Sequence, residues 1–232
     1  MPRLLLLIAL LVASSAVCAI VIRDDVDDSE YRISASDFPA LVDMPGEGHG
    51  VLIAPQWVVT AAHVLPQHAG AWRVVIDGTP RDVERVVTHY GYKTLPHELI
   101  NQAMTSGEAM LIVVFLSSSD DIALVKLAQP VTDVAPVAIY RDSYEPGQIV
   151  KIVGKGATGT GATGHDPRGP NRTELRRAFN KITSAYDRWL CYVFDEPPSA
   201  LELEGVLGNG DSGGPVPVSY THLRAHETIG RI

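Results

Sequence analysis

Two short apolar runs, Gly50-Val51-Leu52-Ile53-Ala54 and Trp57-Val58-Val59-Thr60, are cut apart by Pro55. Proline fixes φ and carries no N–H, so neither a helix nor one long central strand can run through this stretch. Each run is long enough for a strand and too short for a helix. The same rhythm recurs at residues 72–76 and 83–88, with Asp77-Gly78 as the turn between them, and at 121–127, 149–153, 175–182 and 190–194. Strands at this spacing predict an all-β barrel or sandwich. The 20 glycines and 16 prolines among 232 residues supply the turns. Residues 130–136 read as a connector, and a second β region starts near Val137. One segment breaks the rhythm. In residues 95–116, Pro96 can open a helix, Leu99, Ile100, Ala103 and Met104 fall on one face, and Gly107 interrupts it. This segment is expected to be a partly helical insertion between strands.

The start of the chain reads as a leader. Met1-Pro2-Arg3 is basic, residues 4–13 are apolar, and Val17 and Ala19 sit as the −3 and −1 positions of a cleavage site. That is the pattern of a secretory signal peptide cut after Ala19, and the apolar run is too short to span a bilayer. The expected location is secreted or periplasmic, with no membrane association after cleavage. Of the two cysteines, Cys18 leaves with the leader, and Cys191 lies in an apolar strand-like run as a structural thiol. No internal disulfide is then possible. The net charge of −8 and the lack of a basic stripe argue against a nucleic-acid partner. Residues 20–36, with Asp24, Asp25, Asp27, Asp28 and Glu30, read as a solvated acidic arm. Residues 154–172 are rich in Gly and Thr but lack the Lys-Ser/Thr ending of a phosphate-binding loop, and read as a mobile surface loop. Asn171-Arg172-Thr173 is a glycosylation sequon.

Three short motifs carry chemistry. In Gly208-Asn209-Gly210-Asp211-Ser212-Gly213-Gly214-Pro215, glycines crowd one serine. Such a turn can present a hydroxyl clear of its own backbone and converge neighbouring amides on one point. In Thr60-Ala61-Ala62-His63 small alanines let an imidazole emerge at a strand end. Asp121 heads the alternating run Ile122-Ala123-Leu124-Val125, which draws it inward, where it needs a partner. A serine hydroxyl needs a base, histidine serves near neutral pH, and the imidazolium that forms needs a fixed anion. His63, Asp121 and Ser212 are the candidate catalytic residues, and the amides of Gly210 and Ser212 the candidate oxyanion hole. The chemistry calls for no metal and no cofactor.

These motifs, in this order, resemble those of the trypsin/chymotrypsin family of serine proteases. The interval from Asp121 to Ser212 agrees with the about 93 residues of that triad, and the interval from His63 to Asp121 exceeds its about 45 by roughly the length of the insertion. Phe38-Pro39 resembles the family's first strand, and Val153-Gly154-Lys155-Gly156 its Gly-Trp-Gly segment, with Lys155 in place of the tryptophan. The resemblance implies a chymotrypsin-like fold of two antiparallel β-barrels with the site between them, and a serine endopeptidase acting on protein or peptide substrates. The implied organisation is a signal peptide (1–19), an N-terminal barrel (20–135) with an insertion near 95–116, an incomplete C-terminal barrel (136–217) and a non-native tail (218–232).

The departures from the family pattern are informative. Val64 stands where many members have a cysteine, so one common staple is absent, as in bacterial secreted members. The family places a freshly cut N-terminus against the aspartate before the nucleophile, here Asp211. Cleavage after Ala19 would expose Ile20-Val21 for that role. The position at the base of the primary specificity pocket is Val206, which predicts that cleavage after Lys or Arg is not the main activity. After Pro215 the family continues for several tens of residues. Here Val218-Ser219-Tyr220-Thr221-His222-Leu223-Arg224-Ala225-His226-Glu227-Thr228 resembles the translation of a transposase-based sequencing adaptor, so the second barrel is expected to be truncated at its C-terminal end. Two other function classes stay open: a non-catalytic binding protein on a protease scaffold, and an esterase with the same nucleophile.

Overall fold

The computed structural model describes residues 20–66, 71–108, 110–165, 174–186, 189–219, 222–224 and 228–231. The expected signal peptide and the sequon lie outside these residues. The described chain opens with strand β1 (Ile20–Ile22) and a single helical turn, α1 (Asp28–Tyr31). Six strands then close into a barrel: β2 (Leu41–Asp43), β3 (His49–Ala54), β4 (Trp57–Thr60), β5 (Arg73–Ile76), β6 (Thr79–Thr88) and β7 (Ala123–Leu127). Their order around the barrel is β2-β3-β4-β7-β6-β5, every pair antiparallel. Alternation is clear in β7, where Ala123, Val125 and Leu127 point inward. Val125 and Leu127 meet Val42, Leu52, Val58, Val74 and Ile76 in one buried core. Asp77 and Gly78 both have positive φ (47° and 72°), which is the twist a two-residue hairpin between β5 and β6 requires.

Between β6 and β7 the chain leaves the barrel for two helices, α2 (His97–Ser106) and α3 (Met110–Ser117). Pro96 precedes the first, and Gly107 ends it in the left-handed conformation, φ 73°. The insertion is thus more helical than the sequence indicated. A run such as Met110-Leu111-Ile112-Val113-Val114 has no period that separates helix from strand.

The second half is built from open sheets. Its strands are β8 (Ala138–Ile139), β9 (Ile149–Gly154), β10 (Thr158–Thr160), β11 (Gly164–His165), β12 (Arg176–Tyr186), β13 (Trp189–Val193), β14 (Gly205–Val206), β15 (Val216–Ser219), β16 (His222–Arg224) and β17 (Thr228–Arg231). Three sheets result, ordered β17-β13-β12-β9, β15-β16-β8 and β11-β10-β1-β14. This is the all-β, chymotrypsin-like arrangement expected, with one closed six-stranded barrel and, among the described residues, three further sheets.

Two expectations fail here. Residues 20–36 are not a solvated arm throughout, although Ser34, Ala35 and Ser36 are exposed. Ile20, Val21, Ile22 and Tyr31 are buried, and β1 lies between β10 and β14. The acidic residues beyond β1 are used: Asp28 grips the buried Arg176 guanidinium through Nε (2.7 Å) and Nη2 (2.9 Å), and Asp25 pairs with Arg23. This segment therefore packs on the second half rather than on the first barrel. Of the expected surface loop 154–172, residues 166–172 lie outside the described residues, and 154–165 are structured: Ala157 is buried and β10 pairs with β1. Composition is a poor guide to exposure in both segments, because Asp28 has a buried partner in Arg176 and Gly154 and Gly156 make room for the Asp211 carboxylate.

Candidate active site

The register of the barrel brings the first two candidate residues together. Thr60, at the end of β4, lies opposite Ala123, at the start of β7. In an antiparallel pair the residues just past one end face those just before the other. His63 follows β4 on a short 3-10 turn (Ala62–Val64), and Asp121 precedes β7, so the two must meet. The His63 N–H donates to Asp121 Oδ1 (2.8 Å), and ring Nδ1 pairs with Oδ2. The carboxylate side chain is 8% exposed and the imidazole 48%, so the acid is sheltered and the base faces solvent. Both oxygens of Asp121 are engaged by one residue, which fixes the ring's orientation as well as its tautomer. Burial raises the Tyr92 phenol above its ordinary value, against a hydrogen bond with Thr94; the nearby Asp121 charge adds to the rise.

The Ser212 turn is pressed against the same strand end. The Ser212 carbonyl accepts the His49 N–H at 2.7 Å. Gly213 has φ 74°, and a Cβ there would collide with His49 O, Thr60 Oγ1 and Ala61 N. Only glycine lets this turn approach the strand that carries His63. Asp211 N–H donates to Gly208 O (3.2 Å) and Gly214 N–H to Asp211 O (2.9 Å). These turn bonds engage the amides of Asp211 and Gly214, not those of Gly210 and Ser212. Gly210, with φ 86°, takes the left-handed geometry that such a loop needs.

Asp211 points the other way, into the protein. It is buried, and Oδ1 accepts the Gly156 N–H (2.7 Å) while Oδ2 accepts the Gly208 N–H (2.9 Å). The Ile20 backbone nitrogen also hydrogen-bonds this carboxylate. Burial pushes the Asp211 carboxyl above its usual range, against the opposing pull of His49 and these three backbone groups. The glycines around it have a steric reason. A Cβ on Gly154 would strike Asp211 Oδ1, and one on Gly156 would lie 2.7 Å from both that oxygen and the Asp211 nitrogen. The Gly154-Lys155-Gly156 pattern is a cradle for this carboxylate.

Val206 is buried on β14, directly opposite Val21 of β1. Sequence reasoning missed the buried His49 and its part-buried neighbour Asp43, next to the Ser212 turn. Their only signal was Lys155, whose ammonium binds Asp43. Among the described residues no cluster of three or more His, Cys, Asp or Glu is placed to hold a metal ion.

Comparison with known proteins bears on the fold and the family. A family model described as Trypsin matches residues 27–230. Among solved structures, the chain is similar to neuropsin, a serine protease expressed in the limbic system of mouse brain, with 20% identity and a TM-score of 0.58. That match covers 84% of this chain and 82% of the other.

Proposed function

The chain belongs to the trypsin family of serine proteases, and from that premise we propose that it is an exported endopeptidase working through His63, Asp121 and Ser212. The observation that carries the triad is the double contact of Asp121 with the His63 N–H and Nδ1, beside the Ser212 turn. Nδ1 is held by the acid, so Nε2 is the nitrogen left for the serine.

In this reading Ser212 Oγ attacks the scissile carbonyl carbon while His63 takes its proton. The oxyanion that forms accepts the Gly210 and Ser212 N–H groups. The C–N bond then breaks, His63 gives the proton to the leaving amine, and an acyl-enzyme remains. Water, deprotonated by His63, attacks the ester carbonyl and releases Ser212. Stabilisation of the oxyanion is the step in which fixed amides contribute most.

The primary pocket has Val206 at its base. A lysine or arginine side chain there would be buried without an anion, which is costly, so an uncharged residue before the cut bond is preferred.

Activation follows from Ile20. Its side chain is buried, its nitrogen meets Asp211, and its φ is 69°, a value that strains a β-branched residue by about 1–3 kcal/mol. Cleavage of the bond to Ala19 removes that dihedral altogether and turns the amide into an ammonium facing Asp211. Signal cleavage after Ala19 then serves as the activating cut.

A fluorophosphonate probe and an internally quenched peptide test the reading together. The protein should become labelled at Ser212, cleave the peptide internally, and lose both properties in Ser212→Ala. Labelling without peptide cleavage would leave esterase action, and no labelling of a folded chain would leave a binding scaffold.

A further inference from the structure

His49 sits where the two halves of the molecule touch, and it holds both. Its main-chain N–H donates to the Ser212 carbonyl (2.7 Å) and its own carbonyl accepts from Thr60 Oγ1 (2.6 Å). Its ring Nε2 accepts the Lys155 N–H from the second half (3.1 Å). A nitrogen that accepts carries no proton, so the proton is on Nδ1, which faces Asp43 Oδ1 at 3.4 Å. The Lys155 ammonium closes the ring of contacts by binding Asp43 Oδ1 and Oδ2 (3.2 and 3.0 Å). The imidazole is 1% exposed.

The next amide along, that of Gly156, donates to Asp211. Two successive N–H groups thus tie one loop to a histidine of the barrel and to the residue beside the nucleophile. With the ring gone, the part-buried Lys155 N–H would lose this acceptor, a penalty of the kind that moves loops. The Gly156 N–H would move with it, and the carboxylate of Asp211 is what fixes the Gly210-Asp211-Ser212 backbone from below.

We infer that His49 is a positioning residue for the nucleophile turn, its imidazole clamped by Asp43 and Lys155 so that the Lys155-Gly156 amides hold Asp211 and, through it, the amides of Gly210 and Ser212. The inference rests on the hydrolytic reading for its kinetic consequence but not for its structural one. The oxyanion forms only as the reaction proceeds, so loosening its donors lowers kcat and leaves KM nearly unchanged. A role confined to stability would reduce the number of competent molecules and not the turnover of each.

The test uses His49→Leu, which keeps bulk and removes the acceptor, and His49→Gln, whose Oε1 can accept near the place of Nε2. Active sites are counted with a fluorophosphonate, and hydrogen exchange is followed in peptides spanning 208–217. His49→Leu should lower kcat per titrated site by tenfold or more, on the order of one lost oxyanion donor or less, with KM changed about twofold at most. It should also speed exchange in 208–217, and His49→Gln should restore most of both. Asp43→Asn leaves the ring in place without its orienting anion and should give a smaller loss of the same kind; it decides the matter if the leucine variant does not fold. Unchanged kcat per site together with unchanged exchange would overturn the inference. Altered exchange in a protein that hydrolyses nothing would retain it and reject the hydrolytic reading instead.

Discussion

The backbone nitrogen of Ile20 hydrogen-bonds the carboxylate of Asp211, and both groups are sealed inside the protein. An amide is a weak partner for a buried anion, and burial accordingly raises the Asp211 carboxyl. An ammonium in the same place would be a strong one. A chain beginning at Ile20 should therefore be active, and the same chain with one alanine added in front should lose activity by about a hundredfold or more, the scale of a broken buried ion pair. Peptide turnover by the two purified forms checks this; equal turnover would remove Ile20 from the activation route.

The same carboxylate gives a stability test that separates the two forms. In the uncut chain the Asp211 carboxyl is raised above its unfolded value. A raised carboxyl contributes stability that is present below the unfolded pKa and is lost as pH rises through the folded one. Asp211→Asn removes that cost at pH 7 but turns an NH2 donor towards the Gly156 or Gly208 N–H, so the melting temperature of the uncut chain should fall slightly. In the chain starting at Ile20 it also removes the ammonium's partner, and the fall should be larger. Thermal melts of the four proteins decide, and an equal fall in both forms would count against the pairing.

Asp43 has the opposite sign. Burial pushes its carboxyl up, but the His49 ring beside it and the Lys155 ammonium outweigh that and hold it at about 2. Its folded pKa is depressed, so its contribution is present above the unfolded value near 4 and is lost as pH falls through about 2. Asp43→Asn should cost about 2 kcal/mol at neutral pH and progressively less in acid. Urea unfolding across pH 2 to 7 would show the two curves converging; parallel curves would mean that the carboxylate is not held this way.

Asp121→Asn should keep the fold and lower kcat by about ten-thousandfold, since an amide no longer selects the tautomer that frees Nε2. KM should move little. A loss confined to KM would point to a role in binding rather than in orienting His63.

Arg176 is buried, and Asp28 supplies its main anionic partner. Asp28→Ala leaves that guanidinium poorly paired and should destabilise by about 3 kcal/mol. Exchanging both residues for well-packed apolar ones should cost much less. Urea midpoints of the single and double variants separate the cost of an unpaired charge from the worth of the pair.

The barrel was legible because its strands are short apolar runs and its breaks fall at Pro55 and at Asp77-Gly78, where backbone geometry leaves few choices. His63, Asp121 and Ser212 were legible because each sits in a short run whose small residues have a local reason. The fate of residues 20–32 was not, since Asp28 finds Arg176 at a separation of 148 residues. Nothing near Asp28 in the sequence signals that partner. Asp43 and His49 were hidden for the same reason. The bonds to Lys155 span 112 and 106 residues, and each residue alone looks like an ordinary polar side chain at a strand end.

Strand β1 is flanked on both edges, by β10 and by β14, and all three of its residues are buried. An aminopeptidase must draw a few residues of loose chain into its own cleft before it can cut. A protein that begins at Ile20 would offer none, because its first residue is already the middle of a sheet. Such an end is hidden from exopeptidases much as a cyclised backbone would be. The same arrangement makes that end unsuitable for a tag, which would have to pull the strand out before it could be seen.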